Sequence, residues 1–282
     1  MQALRAHYAH SHIVFLTTPV FKPLLAHSPW FDEIWTIHRW SWMQAFKWIG
    51  FARGLRAQNF AHVYDLQRND RARIMSYLAP AALQKKWYGK KGSPHIPTFG
   101  ELRYEDIPSP AETDTSWLTA DIAQFQLPAR YAVLVPGCSP GHPYKRWPAR
   151  HYARTVNNLH TMGITSVLIG TAAEKEVLDE IQRLAPTALN LCGQTSLFDI
   201  AALARQAQIA IGNDTGPMHI AGIVGCPVIS LFSGKTDPEK SKPLGMRVVA
   251  LQAQDIAAIA PEAVCEAINV LFSPTAGGEA AR

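Results

Sequence analysis

Three loop segments carry residues whose types and spacing suit chemistry on a phosphorylated ligand. The first is Gly212-Asn-Asp-Thr-Gly-Pro-Met-His219. It follows an apolar run at 208–211 and opens a helix-spaced run at 216–224. A small-residue loop at a helix start presents unpaired backbone N–H groups and a partial positive charge, which together suit a phosphate. Gly216 lets the backbone approach a ligand closely, and Pro217 is preset for a first helical turn. Thr215 can cap that helix or give its hydroxyl to phosphate. Asp214 either faces the ligand cleft or caps the helix, as such residues commonly do. The second segment, Val135-Pro-Gly-Cys-Ser-Pro-Gly-His-Pro-Tyr-Lys-Arg-Trp-Pro148, also leads from a strand pattern to a helix pattern. Lys145 at its end either sets a point charge on a diphosphate or stays a solvated loop lysine. The third is Ile169-Gly-Thr-Ala-Ala-Glu174, where Glu174 either accepts from a ribose or is an acid in a helix's first turn.

Other motifs fail on chemistry. Gly137-Cys-Ser-Pro-Gly141 spells the GxSxG elbow of hydrolases, but the oxyanion hole needs the N–H of the residue after serine, and Pro140 has none. Ser233-Gly-Lys-Thr236 resembles the end of a phosphate-binding P-loop, yet the required glycine position is Ile229. GxGxxG is absent from the sequence, so a dinucleotide cofactor has no fingerprint. His7, His10 and His12 lie near the chain start with no carboxylate spaced to join them, and read as solvated. Cys138, Cys192, Cys226 and Cys265 form no CxxC pair, which argues against zinc and against a disulfide framework and fits a reducing cytoplasm. Neither a cofactor nor a metal is expected.

The elements that must position these loops alternate through the second half. Strand patterns at 131–135, 166–169, 188–191, 208–211 and 227–232 are separated by helix patterns at 148–161, 173–184, 196–207 and 216–224. Ser196-x-x-Asp199 is a capping-box start. This alternation predicts an α/β fold with a parallel sheet covered on both faces, and ligands in such sheets bind at the carboxyl ends of the strands. The first half also suits α/β, with strands at 13–16, 33–36 and 61–64, helices at 43–58 and 71–83, and a helix end at 1–10.

The chain has 282 residues, 48% hydrophobic and 17% charged, which excludes a disordered chain. No apolar run approaches the ~18 residues of a membrane span, and a signal peptide is not expected. The formal charge of +5 favours an anionic partner, although ordinary solubility charge explains it equally; no nucleic-acid motif accompanies the lysines at 85, 86, 90 and 91. Seven of the eight tryptophans lie at or before Trp117, five of them between Trp30 and Trp48, where a core role outweighs contact with lipid or sugar. A proline-rich stretch at 92–116 reads as a linker, and the domain boundary is placed at 127/128.

Taken together, Lys145-Arg-Trp-Pro148, the loop at 170–174, Leu191-Cys-Gly-Gln-Thr-Ser-Leu197, the Gly212–His219 segment and Phe232-Ser-Gly-Lys-Thr-Asp-Pro238 resemble glycosyltransferase family 9, the ADP-heptose:lipopolysaccharide heptosyltransferases. Fainter similarity runs through Thr17-Thr-Pro-Val-Phe-Lys-Pro-Leu-Leu25 and Val63-Tyr-Asp-Leu-Gln67. The resemblance implies a GT-B-like fold of two facing Rossmann-like domains. Residues 1–127 would receive the acceptor, and residues 128–282 would hold an ADP-sugar. It implies inverting, metal-independent transfer of a heptose-type sugar to the lipopolysaccharide inner core. Lys145 and the Thr215–Gly216 helix start would contact the diphosphate, Asp214 the sugar–phosphate end and Glu174 the ribose, with Ser139 and His219 in the same pocket. The partners implied are an ADP-sugar and an anionic lipid-linked saccharide, at the inner face of the cytoplasmic membrane.

The family pattern also places a strand and a Gly-Asp loop before the helix that here begins at Met1, and its aspartate is the expected general base. No residue of this chain matches that aspartate. Asp214 would lie beside the donor phosphates, and Asp32 and Asp65 match no base position. Losing a general base commonly costs ~10²–10⁴-fold in rate. The sequence therefore predicts little transfer from the chain as written, with a truncated first domain. The alternative is a non-catalytic nucleotide-sugar-binding remnant.

Overall fold

The computed structural model describes residues 1–38, 44–58, 60, 62–65, 84–87, 113–139 and 141–273. The helix expected at 71–83, Lys90, Lys91, Trp40, Trp42, Pro140 and most of the stretch at 92–116 lie outside the described residues. The chain divides into two units: residues 1–97 with 101–110, and residues 98–100 with 111–282.

In the first unit, helix α1 (Gln2–His7) precedes strand β1 (Val14–Thr17). A short helix α2 (Lys22–Leu25), strand β2 (Glu33–Thr36) and helix α3 (Ala45–Ala57) follow. β1 and β2 pair in parallel, with Val14 opposite Glu33. Arg5 fixes α1 to this pair. Its guanidinium donates to Asp32 Oδ2 (2.6 Å) and to the carbonyls of Trp30 (3.2 Å) and Ser11 (3.0 Å). The same Asp32 oxygen accepts from the Ile13 N–H at 2.7 Å. Those bonds, from the Ile13 backbone and from Arg5, hold the Asp32 carboxyl below its ordinary value. A second parallel pair joins β3 (His62–Asp65) to β4 (Gln84–Trp87). The lysines at 85 and 86 therefore lie in a strand that their charge had hidden.

The second unit contains a six-stranded, fully parallel sheet. Its strands are β5 (Tyr131–Val135), β6 (Thr165–Leu168), β7 (Leu189–Asn190), β8 (Ile209–Asn213), β9 (Val228–Ser233) and β10 (Val248–Ala253), in the spatial order β10-β9-β8-β5-β6-β7. Helices α4 (Ala149–Thr161), α5 (Lys175–Leu184) and α8 (Pro261–Phe272) cover one face, and α6 (Leu197–Gln206) and α7 (Gly216–Ile223) the other. Alternation along β5 sends Ala132 and Leu134 to the first core and Tyr131, Val133 and Val135 to the second. Because both faces are covered, β5, β8 and β9 are buried throughout, as their continuous apolar runs require. The expected α/β parallel sheet is observed.

Local chemistry sets the helix starts. Ser196 and Asp199 form the reciprocal capping box ahead of α6. Pro148 precedes α4, while the helix expected from 173 begins as a 3-10 turn, Ala172–Glu174. The final β10–α8 unit was not anticipated. β10 is a half-buried edge strand with one neighbour, and its apolar run at 248–251 resembles those of the central strands.

Close packing of β8 on β5 depends on Gly212. A Cβ there would lie 2.7 Å from Val135 Cβ, 2.8 Å from the Val135 carbonyl and 2.7 Å from Met218 Sδ. A backbone carbonyl in mid-sheet cannot yield cheaply. Gly212→Ala should therefore destabilise this unit by about 1–3 kcal/mol, the usual cost of overpacking, read as a lower denaturant midpoint with unchanged slope. An unchanged midpoint would show that the β5–β8 contact relaxes freely.

Candidate functional site

β5 and β8 are the neighbours at which the chain reverses its direction of travel across the sheet, and open α/β sheets bind ligands in the crevice beyond such a pair. The crevice is closed at its base by one side chain. Asn213, fully buried at the end of β8, donates through Nδ2 to the carbonyls of Pro136 (2.6 Å) and Gly137 (3.3 Å) beyond β5. Its Oδ1 accepts from the Trp147 N–H (3.3 Å) and from the Tyr152 hydroxyl (3.0 Å). All four hydrogen-bonding positions of the carboxamide are filled. Burial pushes the Tyr152 hydroxyl well above its ordinary value, so it remains a proton donor to this network. Trp147 is anchored in turn by its indole N–H on the Ile259 carbonyl at 2.9 Å. The second loop is thereby tied to the strand that carries the first.

Above this base lies an ion pair. Lys145 ends a 3-10 turn, Pro143–Lys145, and its Nζ reaches Asp214 Oδ2 at 2.5 Å and the Asp214 carbonyl at 3.4 Å. Asp214 is buried, with a side chain only 7% exposed. His219, one helical turn into α7, brings Nε2 to 3.8 Å from Asp214 Oδ1. Burial pushes the Asp214 carboxyl up, but hydrogen bonds from His219 and Lys145 and the charges on both outweigh it and leave the group below its ordinary value. Asp214 is thus held as a carboxylate with a cation on it. Among the described residues, no group of three or more His, Cys, Asp or Glu side chains could hold a metal ion.

The helix start beside this pair is open. Thr215 has extended backbone and makes no side-chain cap; its hydroxyl instead donates to the Asn213 carbonyl at 3.2 Å. A Cβ built on Gly216 meets nothing within 4 Å. The first N–H groups of α7 therefore keep their donors free of a side-chain cap.

Glu174 arrives from the third loop. Its Oε2 accepts from the Thr171 N–H (2.7 Å) and hydroxyl (2.9 Å), a capping box at the start of the turn. A Cβ on Gly137 would overlap the same carboxylate, so Gly137 is the residue that lets Glu174 lie over the end of β5. Ser139 is exposed on the second loop, two residues past Gly137, and its carbonyl accepts from the His142 N–H at 2.9 Å. The structure thus gathers Lys145, Asp214, Thr215, Gly216 and His219 at one place and sets Glu174 against Gly137. It gives Ser139 no side-chain bond to the others among the described residues. Asn213, Tyr152 and Lys235 were missed by the sequence reading. Lys235, after β9, rests its ammonium 4.6 Å from the centre of the Tyr144 ring, next to Lys145. Nothing in a Lys, a Tyr or a strand-ending Asn signals such placement before its partners are known.

Residues 95–269 match glycosyltransferase family 9 (heptosyltransferase), and the chain belongs to that family. It is 39% identical over 114 residues to a lipooligosaccharide heptosyltransferase 2 of Haemophilus influenzae, covering 39% of this chain and 32% of that one. It is 30% identical over 173 residues to lipopolysaccharide heptosyltransferase 2 of Escherichia coli K12, covering 53% and 49%. In sequence, then, the chain spans at most about half the length of these curated relatives. The structure is similar to that of E. coli ADP-heptose lps heptosyltransferase II, with a TM-score of 0.73 at 21% identity over 96% of this chain and 92% of the other. It is also similar to E. coli heptosyltransferase WaaC with ADP, with a TM-score of 0.72 at 18% identity over 96% and 93%. At these identities the likeness shows the fold, which is GT-B-like α/β.

The lowered Asp214 titration has a consequence for stability. A carboxyl depressed in the folded state contributes stability that is complete well above its unfolded value, near pH 4, and is lost as pH falls through the folded value. Asp214→Asn should therefore be less stable than wild type at about pH 7, with the gap closing below about pH 4. Denaturant titrations at both pH values check this; a gap independent of pH would mean that Asp214 contributes through shape alone.

Proposed function

We propose that the chain is a glycosyltransferase that uses an ADP-sugar of heptose type as donor and the lipopolysaccharide inner core as acceptor, with inversion and without a metal. One observation carries the reading. A lysine held on a buried aspartate borders an uncapped helix start, at the crevice between β5 and β8. A diphosphate there would meet Lys145 and the first N–H groups of α7, both positive, in place of a metal ion. The similar structures, E. coli ADP-heptose lps heptosyltransferase II and heptosyltransferase WaaC with ADP, support the choice of nucleotide.

In this reading the acceptor hydroxyl forms a bond to the anomeric carbon as the bond from that carbon to the diphosphate oxygen breaks. The electron pair leaves with the diphosphate, where Lys145 and the helix start stabilise it. Asp214 orients Lys145 and the sugar–phosphate end, with His219 on its other oxygen. Glu174 holds the ribose, exchanging part of its bond to Thr171 for a sugar hydroxyl, and Ser139 and His219 border the same pocket. The acceptor hydroxyl must also lose its proton, and because a cation stabilises the charged form of Asp214 while Asp32 is committed to Arg5 and the Ile13 N–H, that proton passes to solvent water. The reading places the protein in the cytoplasm, at the inner face of the membrane that carries the acceptor.

Calorimetric titration tests the donor site. Lys145→Ala should weaken ADP binding by about 10–100-fold while leaving adenosine nearly unaffected, because a charge-assisted hydrogen bond is worth about 1.5–3 kcal/mol. Equal losses for the two ligands would assign Lys145 a structural role. Gly216→Val fills space that is empty in the fold, so it should abolish ADP binding with the melting temperature unchanged. Wild-type affinity in that variant would remove the helix start from the site. Sugar transfer from ADP-heptose onto a heptose-deficient lipopolysaccharide core completes the test of the reaction.

A further inference from the structure

The charge of this chain is unevenly distributed. Residues 1–100 hold 13 lysines and arginines against 4 aspartates and glutamates, whereas residues 101–282 hold 14 against 18. The first part is thus net +9 and the remainder net −4. A net +5 conceals a strongly cationic N-terminal segment joined to a mildly anionic one.

Within that segment, α3 presents an unusual outer face. Its sequence, Ala-Phe-Lys-Trp-Ile-Gly-Phe-Ala-Arg-Gly-Leu-Arg-Ala, contains three cations and no acid. Ala52 is buried, and Trp48, Phe51 and Leu55 on the same side are partly covered, so this side faces inward. Phe46, Ile49 and Arg53 recur at i, i+3 and i+7 on the opposite side, with Arg56 beside them. Phe46 is 68% exposed and Ile49 54% exposed, and both arginines are exposed. A second exposed apolar pair, Val20 (76%) and Phe21 (49%), is followed at once by exposed Lys22. That pair follows the carboxyl end of β1, and α3 follows the carboxyl end of its parallel neighbour β2. Large apolar side chains are left in water beside cations twice in one unit.

We propose that the outer face of α3, through Phe46, Ile49, Arg53 and Arg56, docks the N-terminal unit on an anionic lipid bilayer. The inference builds on the proposed use of a lipid-linked acceptor and goes beyond it by naming the surface. A helix that lies in the plane of a bilayer needs apolar side chains to enter the acyl boundary and cations to meet the headgroup phosphates. Here both lie on one side of one helix. Charge complementarity selects the occupant. A net +9 segment with no acid on its exposed helix is matched by a surface of negative headgroups, whereas a second copy of the same cationic face would repel it. Val20, Phe21 and Lys22 supply a second, shorter point of contact.

The test uses the full 282-residue chain and flotation with vesicles of phosphatidylcholine alone or mixed with phosphatidylglycerol. Binding is expected to the mixed vesicles only and should weaken as salt is raised. Arg53→Gln should weaken it about 5-fold, corresponding to about 1 kcal/mol per cation near the surface. Ile49→Ser with Phe46→Ser should weaken it about 10-fold or more. Unchanged far-UV circular dichroism and melting of the variants shows that they are folded, and ADP titration, which should also be unchanged, reads the donor site separately. The Arg53 variant alters only a surface charge and keeps the test open should the double variant misfold. Wild-type partitioning by both variants, or no binding to anionic vesicles, would overturn the proposal. So would a wild-type dimer that the serine substitutions dissociate, or release from vesicles by a soluble phosphorylated core saccharide. Vesicle binding without ADP binding would leave this inference standing and remove the proposed donor site; ADP binding without vesicle binding would do the reverse.

Discussion

The second unit of this protein depends on one buried carboxamide. Asn213 closes the gap between the ends of β5 and β8, and each of its four hydrogen-bonding positions meets a different group. A buried amide with an unmet position would be costly, so this arrangement admits little variation. It places the loop after β5 and the first turn of α4 in fixed register with the start of α7. The Lys145–Asp214 pair can then be short, because both backbones that carry it are already held.

The ion pair is better understood as preparation than as stabilisation. A buried pair spends much of its attraction on desolvation, so its net contribution to folding is small. Its geometric effect is larger. Without Asp214 the lysine side chain would have a wide choice of positions in solvent. With it, the ammonium stays beside the uncapped end of α7, where Thr215 has turned its hydroxyl to the Asn213 carbonyl. Positive charge and free donors then converge on one spot before any ligand arrives.

Much of this was legible in the sequence. Both faces of the second sheet are covered, so its central strands read as mainly apolar runs, and glycine- and proline-rich loops marked the carboxyl ends of several. Capping chemistry at Ser196 and Asp199 and proline at 148 and 217 gave helix starts. The edge strand β10 escaped although 248–251 is a plain apolar run, and β4 because Lys85 and Lys86 read as surface charge. At the site, Lys145, Asp214 and Gly216 were visible from loop position alone. The role of Asn213 was not, since an asparagine that ends a strand looks like any turn former until its partners 77 and 61 residues away are known. Glu174 was read with two fates, and its carboxylate caps a turn.

That long separation bears on how the protein acquires its shape. β8 must insert beside β5 after two intervening strands and three helices have been synthesised, so the contacts that define the crevice are among the most non-local in this unit. Closing such loops is entropically expensive and slow. The crevice cannot exist in a partly folded chain that retains only β5, β6 and β7. A ligand bound there would therefore engage only the completed sheet and would draw the folding equilibrium toward it by mass action. The Asn213 bridge makes occupancy of the crevice a report on the pairing of β5 with β8.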